Sequence, residues 1–175
     1  HLLIGADAGL YETFDHGESF RHVPNLPISQ FYRVAVDNTE PFYNILGGAQ
    51  DLGTLFGPSR TTGVEGVRSQ DWTVTLGADG YHVAFDPDDP AICYMEWQNG
   101  NMMRMDRRTM ELQDIQPQGA IGDDPERWNW DCPIAISPHS PSTIYVASQR
   151  VWRSNDRGDS WTAISGDLTR NINRY

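Results

Sequence analysis

The stretch VAFDPDDP at residues 83–90 decides the fold, because two related stretches flank it at nearly equal spacing. Upstream lies VAVDNTEP at residues 34–41, and downstream lies IAISPHSP at residues 134–141. The final prolines of the three stretches are 49 and 51 residues apart. In each stretch a short apolar strand runs into a proline-marked turn, and a second apolar segment follows. A period near 50 residues is typical of one four-stranded blade of a β-propeller.

The composition also points to an all-β chain. Its 175 residues include 16 Gly, 11 Pro, 6 Trp, 7 Tyr and 6 Phe. So many turn formers and flat side chains favour short strands over long helices. The net charge of −11 opposes binding to nucleic acid or to anionic membranes, and no run of Lys or Arg relieves it.

The repeat predicts that residues 1–175 are a fragment of one β-propeller domain, with about 3.5 to 4 four-stranded antiparallel blades. The expected units are a partial blade at 1–26, blades at 27–76, 77–127 and 128–165, and a tail at 166–175 that could start the next blade. A unit of this size cannot bury both of its apolar faces alone. We therefore expect the remaining blades of the same propeller, or another copy of the chain, as partners.

A second motif repeats out of phase with the first. LYETFDHGESF at residues 10–20 aligns without gaps with VWRSNDRGDSW at residues 151–161. The shared positions are Thr13, Asp15, Gly17 and Phe20 in the first copy, and Ser154, Asp156, Gly158 and Trp161 in the second.

Both copies resemble Asp-boxes, also called BNR repeats, which occur in sialidases, sortilin-type receptors and xyloglucanase-type glycoside hydrolases. The proline-marked strand openings are similar to those of bacterial sortilin/BNR-like propeller proteins. The resemblance implies Asp-boxes in the hairpins between the third and fourth strands of a blade. In such a turn we expect the Asp carboxylate to accept backbone N–H groups, the Gly to have a positive φ, and the aromatic ring to be buried between sheets. The motif residues are therefore interpreted as structural rather than catalytic, and the resemblance implies a fold rather than an activity. Sialidases typically use three arginines, and only Arg33 and Arg150 are well placed here, which argues against that activity.

One face of the predicted propeller concentrates the residues suited to a ligand. With strands A to D counted outward from the axis, the B–C and D–A loops share this face. Its predicted ligand-binding residues are Tyr32, Arg33, Gln50, Tyr81, His82, Trp97, Trp128, Trp130 and Arg150. Its candidate catalytic carboxylates are Asp7, Asp51, Asp79, Glu96 and Asp131. Aromatic rings stack on sugars while polar groups bond their hydroxyls, although an Asp beside a glycine can also cap a tight turn.

Three functions fit this face. The first is a recognition or scaffold module of a larger secreted or periplasmic protein that binds a saccharide or a peptide. The second is a glycoside hydrolase of the xyloglucanase-like type, which would use two carboxylates at a set separation. The third is a sortilin-like peptide-binding receptor module.

No cofactor is predicted, and metal binding has little support in the sequence. Asp123-Asp124 and Asp86–Asp89 could each contact calcium, but both are interpreted as solvated turns. The five histidines show no zinc spacing. Cys93 and Cys132 are expected to be small buried side chains rather than a disulfide.

Overall fold

The structure, a computed structural model, describes residues 1–6, 9–24 and 29–172. Within them the chain forms fifteen β-strands and a single 3-10 helix, Ser69–Asp71. The strands are β1 Leu2–Ala6, β2 Gly9–Thr13, β3 Arg21–Val23, β4 Phe31–Val36, β5 Asn44–Ala49, β6 Gly53–Pro58, β7 Thr73–Leu76, β8 Gly80–Phe85, β9 Ile92–Trp97, β10 Asn101–Asp106, β11 Glu111–Asp114, β12 Ile134–Ile136, β13 Ile144–Ala147, β14 Val151–Ser154 and β15 Thr162–Ala163.

The strands form four separate sheets, each a meander of consecutive antiparallel strands. Sheet 1 contains β1–β3, sheet 2 contains β4–β7, sheet 3 contains β8–β11, and sheet 4 contains β12–β15. The prediction of an all-β chain of four-stranded antiparallel sheets is confirmed, with three strands in sheet 1 among the described residues. The first strands of sheets 2 to 4 are β4, β8 and β12, and each ends where a proline-marked turn begins.

The three inner strands of sheet 3, β8 to β10, are largely buried on both faces because apolar side chains occupy successive positions, whereas β11 is exposed. In β9, Cys93 and Met95 pack in a core shared with Leu46 of sheet 2, whereas Tyr94 packs in a core shared with Ile144 of sheet 4. Successive side chains of a strand point to opposite faces, so alternate residues of β9 supply two different cores. Burial of each large apolar side chain contributes about 1.5–3 kcal/mol, and the two cores hold sheets 2, 3 and 4 side by side.

Two equivalent ion pairs join neighbouring sheets, and we call them the inter-sheet clasps. After β4, Asp37 Oδ2 lies 3.4 Å from Arg107 Nη1 of sheet 3, and after β8, Asp86 Oδ2 lies 2.6 Å from Arg157 Nε of sheet 4. Burial alone would raise the pKa of the Asp86 carboxyl, but hydrogen bonds from Arg157 and the Asp89 N–H keep it below its ordinary value. The interpretation of Asp86 as part of a solvated turn is therefore wrong, because its carboxylate is enclosed by its partners.

The repeated motifs form the turns of the β2–β3 and β14–β15 hairpins. Asp15 Oδ1 accepts the Ser19 N–H at 3.0 Å, and Asp156 Oδ1 accepts the Ser160 N–H at 2.9 Å. The Ser19 hydroxyl is the largest influence that lowers the pKa of Asp15, and the Ser154 hydroxyl is the largest that lowers the pKa of Asp156, to about 2. Both carboxylates are therefore occupied inside their own turns.

The glycines and aromatic residues of the motifs differ in how well they match the expectation. Gly17 and Gly158 have φ values of 97° and 94°. Trp161 packs against the core between sheets 3 and 4, and its indole N–H donates to the Ile115 carbonyl at 2.8 Å. Phe20 is 50% exposed, so the expectation of a buried ring is wrong there. In the described part of the chain no other sheet packs extensively on sheet 1, and the ring has nothing to be buried against.

Cys93 and Cys132 are both buried and free, and burial raises the pKa of each thiol to about 12.

None of the helical structure within the described ranges has the length and apolar character needed to cross a bilayer.

Candidate functional site

Three hairpin loops and the starts of the inner strands meet at one end of sheets 2 to 4, which we call the mouth. The loops are residues 50–52 between β5 and β6, 98–100 between β9 and β10, and 148–150 between β13 and β14. Antiparallel pairing brings the starts of β4, β8 and β12 to the same end. Backbone bonds connect the loops to the segments that precede these strands, from Gln50 N to Gln30 O at 3.0 Å and from Asn99 N to Trp130 O at 3.3 Å.

Sheets 2 and 3 approach each other closely just below the mouth. A Cβ on Gly48 would lie 2.3 Å from the Tyr81 carbonyl oxygen, so a glycine is required for β5 and β8 to come this near. In the loop that follows β5, Asp51 has a φ of 59°, a left-handed conformation that Asp tolerates better than most residues. The loop is thereby turned toward the start of β8.

Asp79 is the centre of a hydrogen-bond network that joins sheets 2 and 3. Its Oδ1 accepts the Asp51 N–H at 2.7 Å, and its Oδ2 accepts Gln98 Nε2 at 2.8 Å. The Tyr81 hydroxyl lies 3.5 Å from the same Oδ2. The Asp79 carboxylate therefore positions both neighbouring loops, whereas the Asp51 side chain is exposed at the edge of the mouth.

Tyr32, Tyr81 and Trp130 form an aromatic row across sheets 2, 3 and 4. The rings of Tyr32 and Tyr81 stack with their centroids 4.6 Å apart, and the Tyr32 hydroxyl donates to Gln50 Oε1 at 2.8 Å. The Trp130 indole N–H donates to the Tyr81 hydroxyl. Tyr81 is 4% exposed, whereas Trp130 is 54% exposed. Trp130 is therefore the ring of the row that a ligand can reach most fully. The hydrogen bond to the Tyr81 hydroxyl holds the N–H edge of its indole in place.

A charged row runs beside the aromatic row, and each of its members, Arg33, His82 and Asp131, directly follows a member of the aromatic row in the chain. Arg33 Nε donates to His82 Nε2 at 3.3 Å, and His82 Nε2 lies 3.7 Å from Asp131 Oδ1. Arg33 Nη2 lies 3.9 Å from Asp131 Oδ2. Burial lowers the pKa of His82, Asp131 opposes this effect, and Arg33 adds to it. The environment of His82 therefore favours the neutral imidazole.

Glu96 lies behind the charged row and has no exposed surface. Its carboxyl accepts three backbone N–H groups, from Cys132 at 3.2 Å, Gly100 at 3.3 Å and His82 at 3.4 Å. Burial raises the pKa of Glu96 to about 8, although the Cys132 and His82 N–H groups act in the opposite direction. In this conformation the carboxyl joins sheets 3 and 4 and does not reach the solvent.

Other predicted residues are placed outside this group. Arg150 forms an ion pair with Glu126, which is almost fully buried, and the Arg150 guanidinium lies 4.8 Å from the centroid of the Trp152 ring. Trp97 packs against the core between sheets 2 and 3, and Trp128 packs against the core between sheets 3 and 4.

Asp7 lies outside the described residues. Within residues 1–6, 9–24 and 29–172, no group of three or more His, Cys, Asp and Glu side chains is arranged to hold a metal ion.

Glu126 is a residue of the mouth end that the sequence analysis did not single out. It lies in the long segment before β12, where composition gives no indication of its partner 24 residues away. A clearer signal was present for the two rows. Tyr32, Tyr81 and Trp130 are successive positions 49 residues apart, and so are Arg33, His82 and Asp131.

Antiparallel four-stranded sheets, packed side by side with equivalent loops at one end, define the chain as part of a β-propeller. No protein-family model matches the chain, and no curated protein matches it. Among solved structures it is similar to the GH74 xyloglucanase from Xanthomonas campestris, with a TM-score of 0.53 and 17% identity over 94% of this chain and 28% of that chain. It is also similar to apo AztD from Citrobacter koseri, with a TM-score of 0.51 and 14% identity over 90% of this chain and 42% of that chain.

At such identities the likeness shows the fold alone. The chain spans less than half the length of either neighbour.

Proposed function

We propose that the chain is part of a recognition propeller that binds a neutral saccharide at the mouth. The observation that carries the proposal is Trp130, whose largely exposed ring is held at its indole N–H by Tyr81. An exposed aromatic face with a fixed orientation is suited to stacking on the apolar face of a sugar ring. Amide and carboxylate groups from the loops of sheets 2 and 3, such as Gln50, Gln98 and Asp51, lie at the same end to bond hydroxyls.

The charges at the mouth favour a neutral ligand over an acidic one. Among the described residues of the mouth, Asp51, Asp79 and Asp131 contribute three carboxylates. Arg33 contributes one guanidinium, and the guanidinium of Arg150 is neutralised by its ion pair with Glu126. Glu96 adds no full charge at pH 7 because burial raises its pKa to about 8. A uronic acid oligomer would meet net negative potential here, and a neutral glucan would not.

The test is isothermal titration calorimetry at pH 7.5 with cellohexaose, a xyloglucan heptasaccharide and hexagalacturonate. We expect a neutral oligosaccharide to bind and hexagalacturonate not to bind. Trp130→Ala should weaken binding about tenfold, which corresponds to about 1.4 kcal/mol. The matched control is Tyr43→Ala, because Tyr43 is an exposed aromatic residue, 48% accessible, in the turn between β4 and β5 at the opposite end of sheet 2. Equal loss in both variants, or binding of hexagalacturonate alone, would contradict the proposal.

A glycoside hydrolase is the second candidate, favoured by the carboxylates that converge at the mouth and by likeness to a xyloglucanase. Hydrolysis requires two carboxyl groups that both reach the substrate. Asp51 and Asp131 meet this requirement better than Glu96, which is enclosed. The test is whether the chain releases reducing ends from xyloglucan. If it does, and if Asp51→Asn and Asp131→Asn each abolish this release, a glycoside hydrolase function would replace the binding function. A peptide bound in place of any glycan would instead favour a sortilin-like receptor module.

The proposal extends to the setting of the module. We take the motif turns of residues 13–20 and 154–161 as Asp-boxes that stabilise blades, and we take further blades, from the same propeller or from another copy, as the partners. The module would belong to a secreted or periplasmic protein and would need no cofactor.

A further inference from the structure

His82 lies between two groups of opposite charge that belong to the neighbouring sheets. Because Arg33 Nε donates to His82 Nε2 at 3.3 Å, this nitrogen carries a lone pair and the ring proton is on Nδ1. On the other side, Asp131 Oδ1 lies 3.7 Å from the same Nε2. Within the described part of the chain this oxygen is buried and accepts no hydrogen bond. The imidazole therefore accepts a hydrogen bond from Arg33 and makes none with Asp131.

The groups that face His82 come from three elements. Arg33 belongs to β4, Asp131 precedes β12, and Glu96 belongs to β9. The Oε2 atom of Glu96 accepts the backbone N–H of His82 at 3.4 Å. Burial lowers the pKa of His82 from 6.5, and burial raises that of Glu96 to about 8. The pKa of His82 therefore lies below that of Glu96, and the variant His82→Gln separates the effects of the two groups.

We propose that His82 is a pH-dependent gate of the mouth, in which protonation exchanges its hydrogen bond from Arg33 for one to Asp131 and thereby displaces Trp130. A protonated Nε2 can no longer accept the Arg33 N–H, and the two cations repel each other. The buried Asp131 Oδ1, 3.7 Å from Nε2 and without a hydrogen bond of its own among the described residues, can then accept the new N–H. This inference rests on the proposed saccharide site and concerns its regulation.

Two covalent connections transmit the exchange to the ligand platform. Asp131 directly follows Trp130 in the chain, so a shift of its carboxylate toward His82 moves the adjacent backbone. Tyr81 directly precedes His82 and holds the Trp130 indole N–H. The pairing of β8 with β9 is irregular between Gly80 and Val83, so this part of β8 lacks regular ladder hydrogen bonds. A local shift of the backbone is less costly there. We expect cellohexaose to bind about fivefold more weakly at pH 5 than at pH 7.5.

The first arm of the test needs no ligand. The NMR signal of the Trp130 indole N–H is followed from pH 7.5 to pH 5 in the wild-type chain, in His82→Gln and in His139→Gln. Gln can accept the Arg33 N–H but does not titrate, and His139 is an exposed histidine in the turn after β12. We expect a shift with a midpoint below pH 6.5 in the wild type and in His139→Gln, and no shift with such a midpoint in His82→Gln. A wild-type signal without this shift, or a shift with this midpoint that persists in His82→Gln, would overturn the gate.

The second arm repeats the cellohexaose titration at both pH values. The gate is supported if the affinity falls in the wild type and in His139→Gln and stays level in His82→Gln. If cellohexaose binds the wild type equally at both pH values, the regulation is wrong while the saccharide site stands. If the indole signal titrates through His82 and cellohexaose binds at neither pH, the saccharide proposal fails while the conformational exchange stands.

Discussion

At the scale of single residues, Glu96 has the most unusual environment at the mouth. A carboxyl group without exposed surface would normally require a cationic partner, yet this one is held by three backbone N–H groups. Burial raises its pKa to about 8, so the folded chain keeps a proton that the unfolded chain releases near pH 4.5. The folded state therefore binds more protons between these pH values, and its stability falls as pH rises through them.

The corresponding prediction concerns the pH dependence of stability between pH 6.5 and 8, above the lowered pKa of His82. The wild-type free energy of unfolding should fall by on the order of 1 kcal/mol per pH unit, because ionisation of Glu96 is disfavoured in the fold. Glu96→Gln mimics the protonated acid and should remove this slope. Urea denaturation at several pH values measures the effect, and Glu111→Gln, at an exposed position in β11, should retain the wild-type slope. A wild-type stability that rises with pH in this window would show that Glu96 is ionised in the fold.

The sequence predicts the two rows of the mouth better than it predicts Glu96. The repeat places Tyr32, Tyr81 and Trp130 at equivalent positions, and antiparallel pairing brings such positions to one end. Nothing in the residue type indicates that Glu96 is enclosed, because one of its donors, the Cys132 N–H, comes from a segment 36 residues away. Such a contact depends on how two blades pack, and no local pattern encodes it.

At the scale of the structural elements, the inter-sheet clasps show how the turns after the inner strands stabilise the stack. In each clasp a buried Asp that ends one inner strand pairs with an Arg in the outer hairpin turn of the next sheet. Removing the cation leaves a buried carboxylate without its partner, which is costly. The clasp thus links the repeat unit to its neighbour at a fixed position.

We predict that Arg157→Ala lowers the free energy of unfolding by about 1–3 kcal/mol, less than for a fully buried pair because Arg157 is 35% exposed. Arg108→Ala is the matched control, since Arg108 pairs with Asp106 and Asp89 at the surface and should cost less than about 1 kcal/mol. Chemical denaturation of both variants, completed by a double-mutant cycle with Asp86→Asn, measures the difference. An Arg157→Ala loss no larger than the Arg108→Ala loss would contradict a stabilising role of the clasp.

The strands themselves were predictable because apolar segments alternate with proline and glycine turns at a constant period. The clasps were not, because acidic residues in a proline turn usually face solvent and the partner arginine of Asp86 lies 71 residues away. Phe20 is the opposite case, in which a local motif predicts a contact that the fold does not provide. Its motif predicts a buried ring, but burial also requires a neighbouring sheet, and that requirement is not a property of the motif.

At the scale of the whole molecule, burial is distributed unevenly among the four sheets. Sheet 3 has apolar cores on both faces, whereas Leu3 in β1 is 60% exposed, and Val34 and Val36 in β4 are 59% and 57% exposed. Apolar surface of this kind is what a further blade would cover in a stacked arrangement. The repeat length alone predicts that a blade needs neighbours to bury its apolar faces. In the structure the uncovered apolar surface lies on sheet 1 and on the first strand of sheet 2.

We propose that equivalent positions of successive blades form one saccharide site at the mouth. The most direct test is NMR chemical-shift mapping of the ¹⁵N-labelled chain titrated with cellohexaose at pH 7.5. We predict that the perturbed signals cluster at the Trp130 indole and at the backbone amides of Asp51, Asp79 and Cys132, which belong to three different sheets. Perturbations confined to the opposite end, around Asp37, Tyr43 and Asp86, or no perturbation at saturating ligand, would contradict the claim.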